Sequence, residues 1–273
     1  MDSNFVTALA TVVLALIGIS QIFVLILQSR QKKIEFIEDY RKQWFSYKKD
    51  FGVVIFIGRD EREYYQVVNK KTLDIFSKEV KNSNCTEPTI WALDSTRNIF
   101  TLLNDLSIKI LKNQINISDI YSLLGTQMLR HSKPLRVLLD KHHITIDSKL
   151  NSDEHNMIRN EIQDWLTYHD GIRRRVLILI DLLWAEAVRL EDLPPYDIES
   201  AANAKKETGS LNKERVFKEC IKLNGFLSFF HAKKLAYFLK HAEYYDICFN
   251  IGVKKERLDY LDKKWTEYLL DKI

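Results

Sequence analysis

Glycine and proline are scarce in this sequence, which contains 8 glycines and 4 prolines in 273 residues. β-Sandwiches, β-barrels and glycine-rich nucleotide-binding folds need many turn residues, so the scarcity argues against all three. A few long helices need far fewer turns, and the composition therefore favours an all-α fold. The shares of hydrophobic residues (46%) and charged residues (29%) are those of a normal globular protein.

Cysteine is also scarce, and a strong excess of one charge is missing. The three cysteines, Cys85, Cys220 and Cys248, are odd in number and widely spaced. This pattern suits a reducing compartment better than a disulfide scaffold. The formal net charge of +4 is too small to imply nucleic-acid binding by itself.

The signatures of common enzymes are missing as well. The sequence contains no G-x-x-x-x-G-K-[ST], G-x-G-x-x-G, H-E-x-x-H, C-x-x-C or G-x-S-x-G motif. These absences argue against nucleotide hydrolysis, zinc proteolysis and ester hydrolysis. We therefore expect no cofactor, no metal site and no assigned catalytic residue, and favour a non-enzymatic protein.

The strongest positive signal is an uncharged N-terminal run. Residues 5–27 read FVTALATVVLALIGISQIFVLIL, and as a helix they rise roughly 34 Å, enough to cross a bilayer core. A cleaved signal peptide is the alternative interpretation, but the residues before the run, Met1 to Asn4, include no basic residue, and the run is too long. The pattern predicts a retained transmembrane helix.

Charge asymmetry around this helix predicts its orientation. Asp2 is the only charged side chain before it, whereas Arg30, Lys32, Lys33, Arg41 and Lys42 follow it. The positive-inside rule then places the N-terminus outside the cell and residues 28–273 in the cytoplasm. The membrane is predicted to be the bacterial inner membrane. Three of these cations, Arg30, Lys32 and Lys33, also form a candidate contact with anionic head groups.

One stripe of the helix carries small or polar residues at spacings of 3, 4, 3 and 3: Ala8, Thr11, Ala15, Gly18 and Gln21. Small residues let two helices approach closely in lipid, and a glutamine can hydrogen-bond across such a pair. The stripe predicts a homo-oligomer. The alternative is that alanine and glycine are simply common in membrane helices.

Four regions follow from the patterning. We predict a transmembrane anchor at 1–29, a cytoplasmic helical domain at 30–192, a flexible linker at 193–210 and a helical tail at 211–273. The anchor helix is expected to continue beyond the membrane, because no glycine or proline interrupts residues 29–51. We expect the run at 52–58 to be a buried helical turn rather than a strand, and residues 173–190 to be the central buried helix. The tail is expected to pack on the first domain or on another subunit.

Residues 98–139, together with the N-terminal helix and the IEFIEDYR segment after it, resemble a bacterial family of single-pass membrane proteins, domain-of-unknown-function family 4760. Asn113 and Gln114 stand where that family would place a glycine. The resemblance implies a helical, membrane-anchored protein and no activity; proteins of this build resemble parts of phage-defence or stress modules. The matching positions are Leu102, Leu103, Asn104, Ile108, Ile110, Ile115, Asp119, Tyr121 and Gly125.

Two weak patterns suggest chemistry. Arg136 and His142 match the R-x(4–6)-H spacing of HEPN ribonucleases, with His143 as a variant, where the histidine acts as general acid or base and the arginine stabilises charge. About one such match is expected by chance, and we favour an exposed basic turn after an amphipathic helix as its explanation. A metal-binding interpretation of His142, His143, Asp153, Glu154 and His155 matches no known ligand spacing, and a polar loop explains these residues.

Two basic segments have a binding interpretation and a structural one, and we favour the structural one for both. Arg173, Arg174 and Arg175 suit a phosphate or an acidic partner, or form a solvated helix start. In the tail, basic residues alternate with aromatics, which suits single-stranded nucleic acid, a membrane surface, or core packing with the cations outside. The tail cations are Lys233, Lys234, Lys240 and His241.

The leading hypothesis is a membrane-anchored cytoplasmic helical sensor, interaction or effector protein that oligomerises, with a role in bacterial phage defence or stress response. The alternative is a membrane-tethered nucleic-acid binder or HEPN-like ribonuclease. A third hypothesis is a scaffold whose protein partner, encoded nearby, does the chemistry.

Overall fold

The computed structural model describes residues 3–59, 88–139, 153–239 and 255–270. Every regular element in these ranges is a helix, which confirms the predicted all-α fold. A short 3₁₀ helix spans Phe226–Ser228. In chain order the α-helices are α1 (Ser3–Ser46), α2 (Lys48–Gly58), α3 (Pro88–Leu111), α4 (Ile117–Arg130), α5 (Ser132–Leu139), α6 (Asp153–Tyr168), α7 (Asp170–Leu190), α8 (Pro195–Asn224), α9 (Phe229–Phe238) and α10 (Lys255–Leu270).

The chain divides into two compact units, Met1–Phe45 and Ser46–Ile273. The first consists of α1, which continues without a break through residue 29, as expected. The second, which we call the body, contains α2 to α10. The predicted boundary at residue 29 therefore differs from the structural one at residue 45. The body also includes residues 211–273, so the predicted tail packs with the preceding helices.

The predicted flexible linker at 193–210 is wrong for residues 195–210, which form the first half of the 30-residue helix α8. The prediction rested on the lack of an apolar period there. Helix propensity does not need that period: the segment is rich in alanine, lysine and glutamate, which are strong helix formers. Pro195 also stands at the first helical position, where a missing N–H is tolerated.

Helix α7 is the centre of the body, as predicted. Twelve of its 21 residues are buried, and it packs most extensively against α3 and α4. Helix α2 confirms the expected helical form of residues 52–58, with its apolar residues buried against α3 and α5. At its end Gly58 permits close packing, because a Cβ there would lie 2.3 Å from the backbone oxygen of Pro134.

Side chains from distant helices satisfy several helix C-termini, where glycine caps are few. Arg159 on α6 is fully buried and donates from Nε to the Ile57 carbonyl (2.8 Å) and from Nη2 to the Arg59 carbonyl (2.6 Å) at the end of α2. Arg257 on α10 donates to the Arg189 and Glu191 carbonyls at the end of α7. A cation at a helix C-terminus also interacts favourably with the helix dipole.

Helix α3 ends in a Schellman motif with asparagine at the glycine position. The Gln114 N–H bonds the Lys109 carbonyl, and the Asn113 N–H bonds the Ile110 carbonyl, both at 2.9 Å. Asn113 takes the required left-handed backbone, with φ of 58°, a conformation that asparagine tolerates better than most residues. Asparagine therefore ends this helix in the way that a glycine commonly does.

Candidate functional site

Helix α1 exposes its apolar residues. From Thr11 onward it contains an 18-residue window of mean hydropathy 2.3, and none of that window is buried. The helix is therefore long and apolar enough to cross a membrane. Its exposed side chains include Leu14, Leu16, Ile19 and Phe23. In water such a surface would be unfavourable, whereas lipid tails solvate it.

The predicted association stripe lies on α1. Thr11, Ala15 and Gln21 are exposed, and a Cβ added at Gly18 would meet nothing within 4 Å. The helix itself therefore does not require a small residue at position 18. Ala8 lies in the same helix, one turn before Thr11.

The predicted head-group contacts lie where the apolar run of α1 ends. Arg30 and Lys32 are exposed, and Lys33 is half-buried. Within the same segment the Gln31 side chain donates to the Glu35 carboxylate at 3.1 Å. The three cations thus occupy about one turn of helix directly after the apolar segment.

The structure describes only one residue of the candidate catalytic pair. Arg136 on α5 forms an ion pair with Asp181, a buried residue of α7, while His142 lies outside the described residues. The ion pair gives Arg136 a structural role, because it compensates a carboxylate in the core. Of the metal-binding candidates, Asp153, Glu154 and His155 lie in the first turn of α6, and His143 lies outside the described residues. Within the described ranges no three His, Cys, Asp or Glu side chains group closely enough to hold a metal ion.

The arginine run at 173–175 forms an internal network rather than a solvated helix start. Arg175 donates from Nη1 to the Glu219 carboxylate on α8 (2.9 Å) and from Nε to the Asn104 side chain on α3 (2.6 Å). Arg174 bonds Glu219 at 3.3 Å and also pairs with Asp170. Glu219 is only 5% exposed. These charges therefore hold three helices together.

The tail face is also different from the favoured interpretation. Lys233 and Lys234 are exposed as expected, but so are Phe226 and Phe230, which core packing would have buried. Lys240 and His241 lie outside the described residues. The described part of this face is therefore an exposed aromatic and basic surface.

The body also contains a cleft of about 340 Å³ that sequence reasoning did not find. It lies between the connection from α3 to α4, the C-terminal half of α7 and one face of α9. Apolar side chains including Ile110, Ile115 and Leu235 line it together with polar groups. The volume lies at the lower end of the range for small-molecule pockets, but seven of the twelve lining residues are polar or charged, whereas such pockets are mostly apolar. The polar and charged lining residues are Asn113, Asn116, Ser118, Glu186, Arg189, His231 and Lys234.

Charged groups in the cleft are arranged around a buried carboxylate. Glu186 is 2% exposed and accepts from Arg189 through both oxygens, at 3.1 and 3.2 Å. The Arg189 guanidinium also lies 5.6 Å from the centre of the Phe238 ring, within cation–π distance. Lys234 is exposed at the rim. The cleft thus presents one compensated ion pair and one further cation.

His231 is the lining residue of the cleft whose pKa is shifted. Burial lowers its pKa below the ordinary value, and the nearby Lys234 charge acts in the same direction, against the hydrogen bond to Ile110. The imidazole is therefore neutral at pH 7. Its Nε2 lies 3.2 Å from the Ile110 carbonyl, and because a carbonyl only accepts, Nε2 holds the proton and Nδ1 is left as an acceptor.

Four of the lining residues, Ile110, Asn113, Ile115 and Lys234, are singled out by the sequence for other reasons, but no pattern indicates that they share a cleft. The lining comes from segments near positions 110–118, 186–189 and 231–238, and no motif links these segments.

Comparison of the chain with family models, curated proteins and solved structures finds no significant match. The resemblance to domain-of-unknown-function family 4760 therefore stays a prediction.

Proposed function

We propose that the chain is a single-pass protein of the bacterial inner membrane, with its N-terminus outside and its body in the cytoplasm, which self-associates through α1. The body acts as a sensor or effector in phage defence or stress response, alone or with a protein partner. One observation carries the proposal: α1 presents an apolar surface to its surroundings over the length of a bilayer. The cations that follow the span support the orientation.

The cleft supports the sensor part of the proposal. A pocket of about 340 Å³ lined by apolar, polar and charged side chains offers the body a place to bind a small ligand. The ion pair of Arg136 with Asp181 supports a binding protein over the ribonuclease alternative, because it gives the arginine a structural partner.

Membrane insertion and orientation are tested together. Full-length protein is expressed in bacteria, and membranes are extracted with alkaline carbonate. We expect the chain to stay in the membrane pellet, and a protease added to spheroplasts to leave the body intact. Release by carbonate would overturn the anchor, and digestion of the body in intact spheroplasts would overturn the orientation.

Self-association is tested on the α1 stripe. Ala15→Leu with Gly18→Leu should reduce cross-linked oligomer, because two backbones then no longer approach closely. An added side chain at position 18 meets nothing within the helix, and leucine favours helix more than glycine does. The helix itself should therefore remain intact. Val13→Leu, on the opposite face, is the matched control. Unchanged oligomers in the double variant would contradict association through this stripe.

The sensor proposal is tested by a pull-down from native membranes in mild detergent, in which co-purifying protein and nucleic acid are both identified. A discrete homo-oligomer or a stable protein partner supports the proposal. Specific RNA or DNA would overturn it in favour of a tethered nucleic-acid binder.

A further inference from the structure

The turn between α8 and α9, together with the first turn of α9, exposes three large apolar residues within five positions of the sequence. Phe226 is 79% exposed, Leu227 is 99% exposed and Phe230 is 83% exposed. Soluble proteins rarely expose contiguous large apolar residues without a binding role. We call these three residues the apolar tip.

The tip is held in place by a defined structure. Phe229 lies behind it, with ring centres 5.8 Å from both Phe226 and Phe230 and 5.7 Å from Phe217 on α8. The chain turns at Gly225, which has φ of 73°. The Ser228 N–H and hydroxyl then both bond the Gly225 carbonyl, at 3.2 and 2.8 Å. A rigid turn therefore presents the tip outward.

Exposed cations lie on both helices that adjoin the tip, and acids are missing from the segment that forms it. Lys222 on α8 and Lys233 and Lys234 on α9 are exposed. The sequence from residue 220 to residue 242 contains no aspartate or glutamate. The last acid before it, Glu219, is buried and paired with two arginines. The segment that carries the exposed apolar residues thus adds exposed positive charge and no acid.

We propose that the apolar tip is a second membrane contact, which inserts Phe226, Leu227 and Phe230 into the interface of an anionic bilayer while the lysines bind head groups. An apolar centre with a lysine collar is the pattern of an interfacial anchor. Long lysine side chains keep their charged ends in the head-group layer while their stems contact apolar surface.

Membrane anchoring favours lipid over other occupants. This inference rests on the proposed anchoring by α1, which confines the body next to lipid and makes even a weak surface contact effective. Single-stranded nucleic acid needs a cationic groove that follows its backbone and rings on which bases stack. Here the most exposed side chain is an aliphatic leucine on a protruding turn.

The test places an environment-sensitive fluorophore at the tip of the full-length protein. Leu227→Cys is labelled with a nitrobenzoxadiazole dye in a background with Cys85→Ser and Cys248→Ser, where Cys220 is buried. Leu211→Cys, at an exposed position on α8 outside the tip, is the matched control. Both proteins are reconstituted into phosphatidylcholine vesicles with and without phosphatidylglycerol.

We expect quenching by doxyl-labelled lipid to be several-fold greater at position 227 than at 211, and greater with phosphatidylglycerol. Lys222→Glu with Lys233→Glu should remove the increase in quenching that phosphatidylglycerol causes at position 227. Lys263→Glu, at an exposed position on α10, should leave that increase unchanged. Carbonate extraction of the same vesicles reports insertion of α1 independently. A failure of the anchor is thereby distinguished from a failure of the tip contact.

Three outcomes would overturn the proposal. Equal iodide quenching at both positions in well-inserted protein would show that the tip stays in water. Protection at 227 that rises with the protein-to-lipid ratio, without doxyl quenching, would assign the tip to a second copy. Protection that appears only after addition of oligothymidine would assign it to nucleic acid.

Discussion

Helix α1 and the body arrange polar and apolar groups in opposite ways. From Val12 to Leu27 the large apolar side chains of α1 are exposed and no residue is charged, whereas in the body Leu103 and Phe100 are fully buried. The body also buries charged residues, among them Arg159, Asp181 and Glu219, and each of them has a partner. This contrast is the one expected if α1 contacts lipid, as proposed, and most of the body surface contacts water.

The largest expected effect is the loss of membrane binding when charged residues replace exposed apolar residues of α1. Leu16→Arg with Ile19→Arg should release the protein from the membrane, because each arginine at the centre of a span costs about 2.5–3.5 kcal/mol on insertion scales. Carbonate extraction measures the effect. Tyr168→Arg with Leu211→Arg, at exposed body positions, is the matched control and should leave membrane binding and melting temperature unchanged. If both pairs behave alike, the contrast between the regions is wrong.

The second effect concerns charge inside the body. Glu219→Ala should lower stability by about 3 kcal/mol, because it leaves Arg174 and Arg175 without their shared partner. Because both arginines are partly exposed, the expected loss of stability lies at the low end of that for breaking a buried ion pair. For a domain of this size this lowers the melting temperature by roughly 6–12 °C, readable by tryptophan fluorescence.

The control for this prediction lies on the same helix. Glu214 pairs with Lys218, but its side chain is 55% exposed, and an exposed pair of this kind contributes less than about 1 kcal/mol. Glu214→Ala should therefore have little effect. Equal losses from both substitutions would show that the network around Glu219 does not stabilise the body.

The third effect compares one residue type in both regions. Gly58→Ala should destabilise the body by about 2 kcal/mol, since its Cβ collides with the Pro134 backbone and the two helices must separate. Gly18→Ala has open space around it and should leave the melting temperature of the body unchanged. A neutral Gly58→Ala would show that α2 and α5 are not in close contact in solution.

Much of the fold could be predicted from the sequence because it depends on local patterns. The apolar run of α1, the helical form of residues 52–58 and the buried core of α7 each follow from composition over short windows. The linker prediction failed because a missing apolar period was interpreted as disorder, whereas alanine, lysine and glutamate in α8 favour helix by propensity.

The site could be predicted only in part, because its contacts are long-range. Periodicity places Arg174 and Arg175 at a helix start, but it does not show that Glu219, more than 40 positions away, accepts from both. The cleft likewise joins His231 to Ile110 across 121 positions. Contacts of this kind depend on packing between helices, which a single sequence does not encode in any local window.

The smallest expected effect is a pH dependence located in the cleft of the body. Burial lowers the pKa of His231 below 6.5, the ordinary value. Between these two pKa values the unfolded chain binds a proton that the folded chain does not. This contribution to stability is therefore present above about pH 6.5 and is lost as the pH falls through the folded pKa.

His231→Gln keeps an N–H donor for the Ile110 carbonyl and removes the titration. Between pH 7.5 and 5.5 the wild type should lose more stability in urea than the variant, by less than any effect above. Parallel losses would mean that the imidazole is as well hydrated in the folded chain as in the unfolded one, and that the cleft is open to water at that wall.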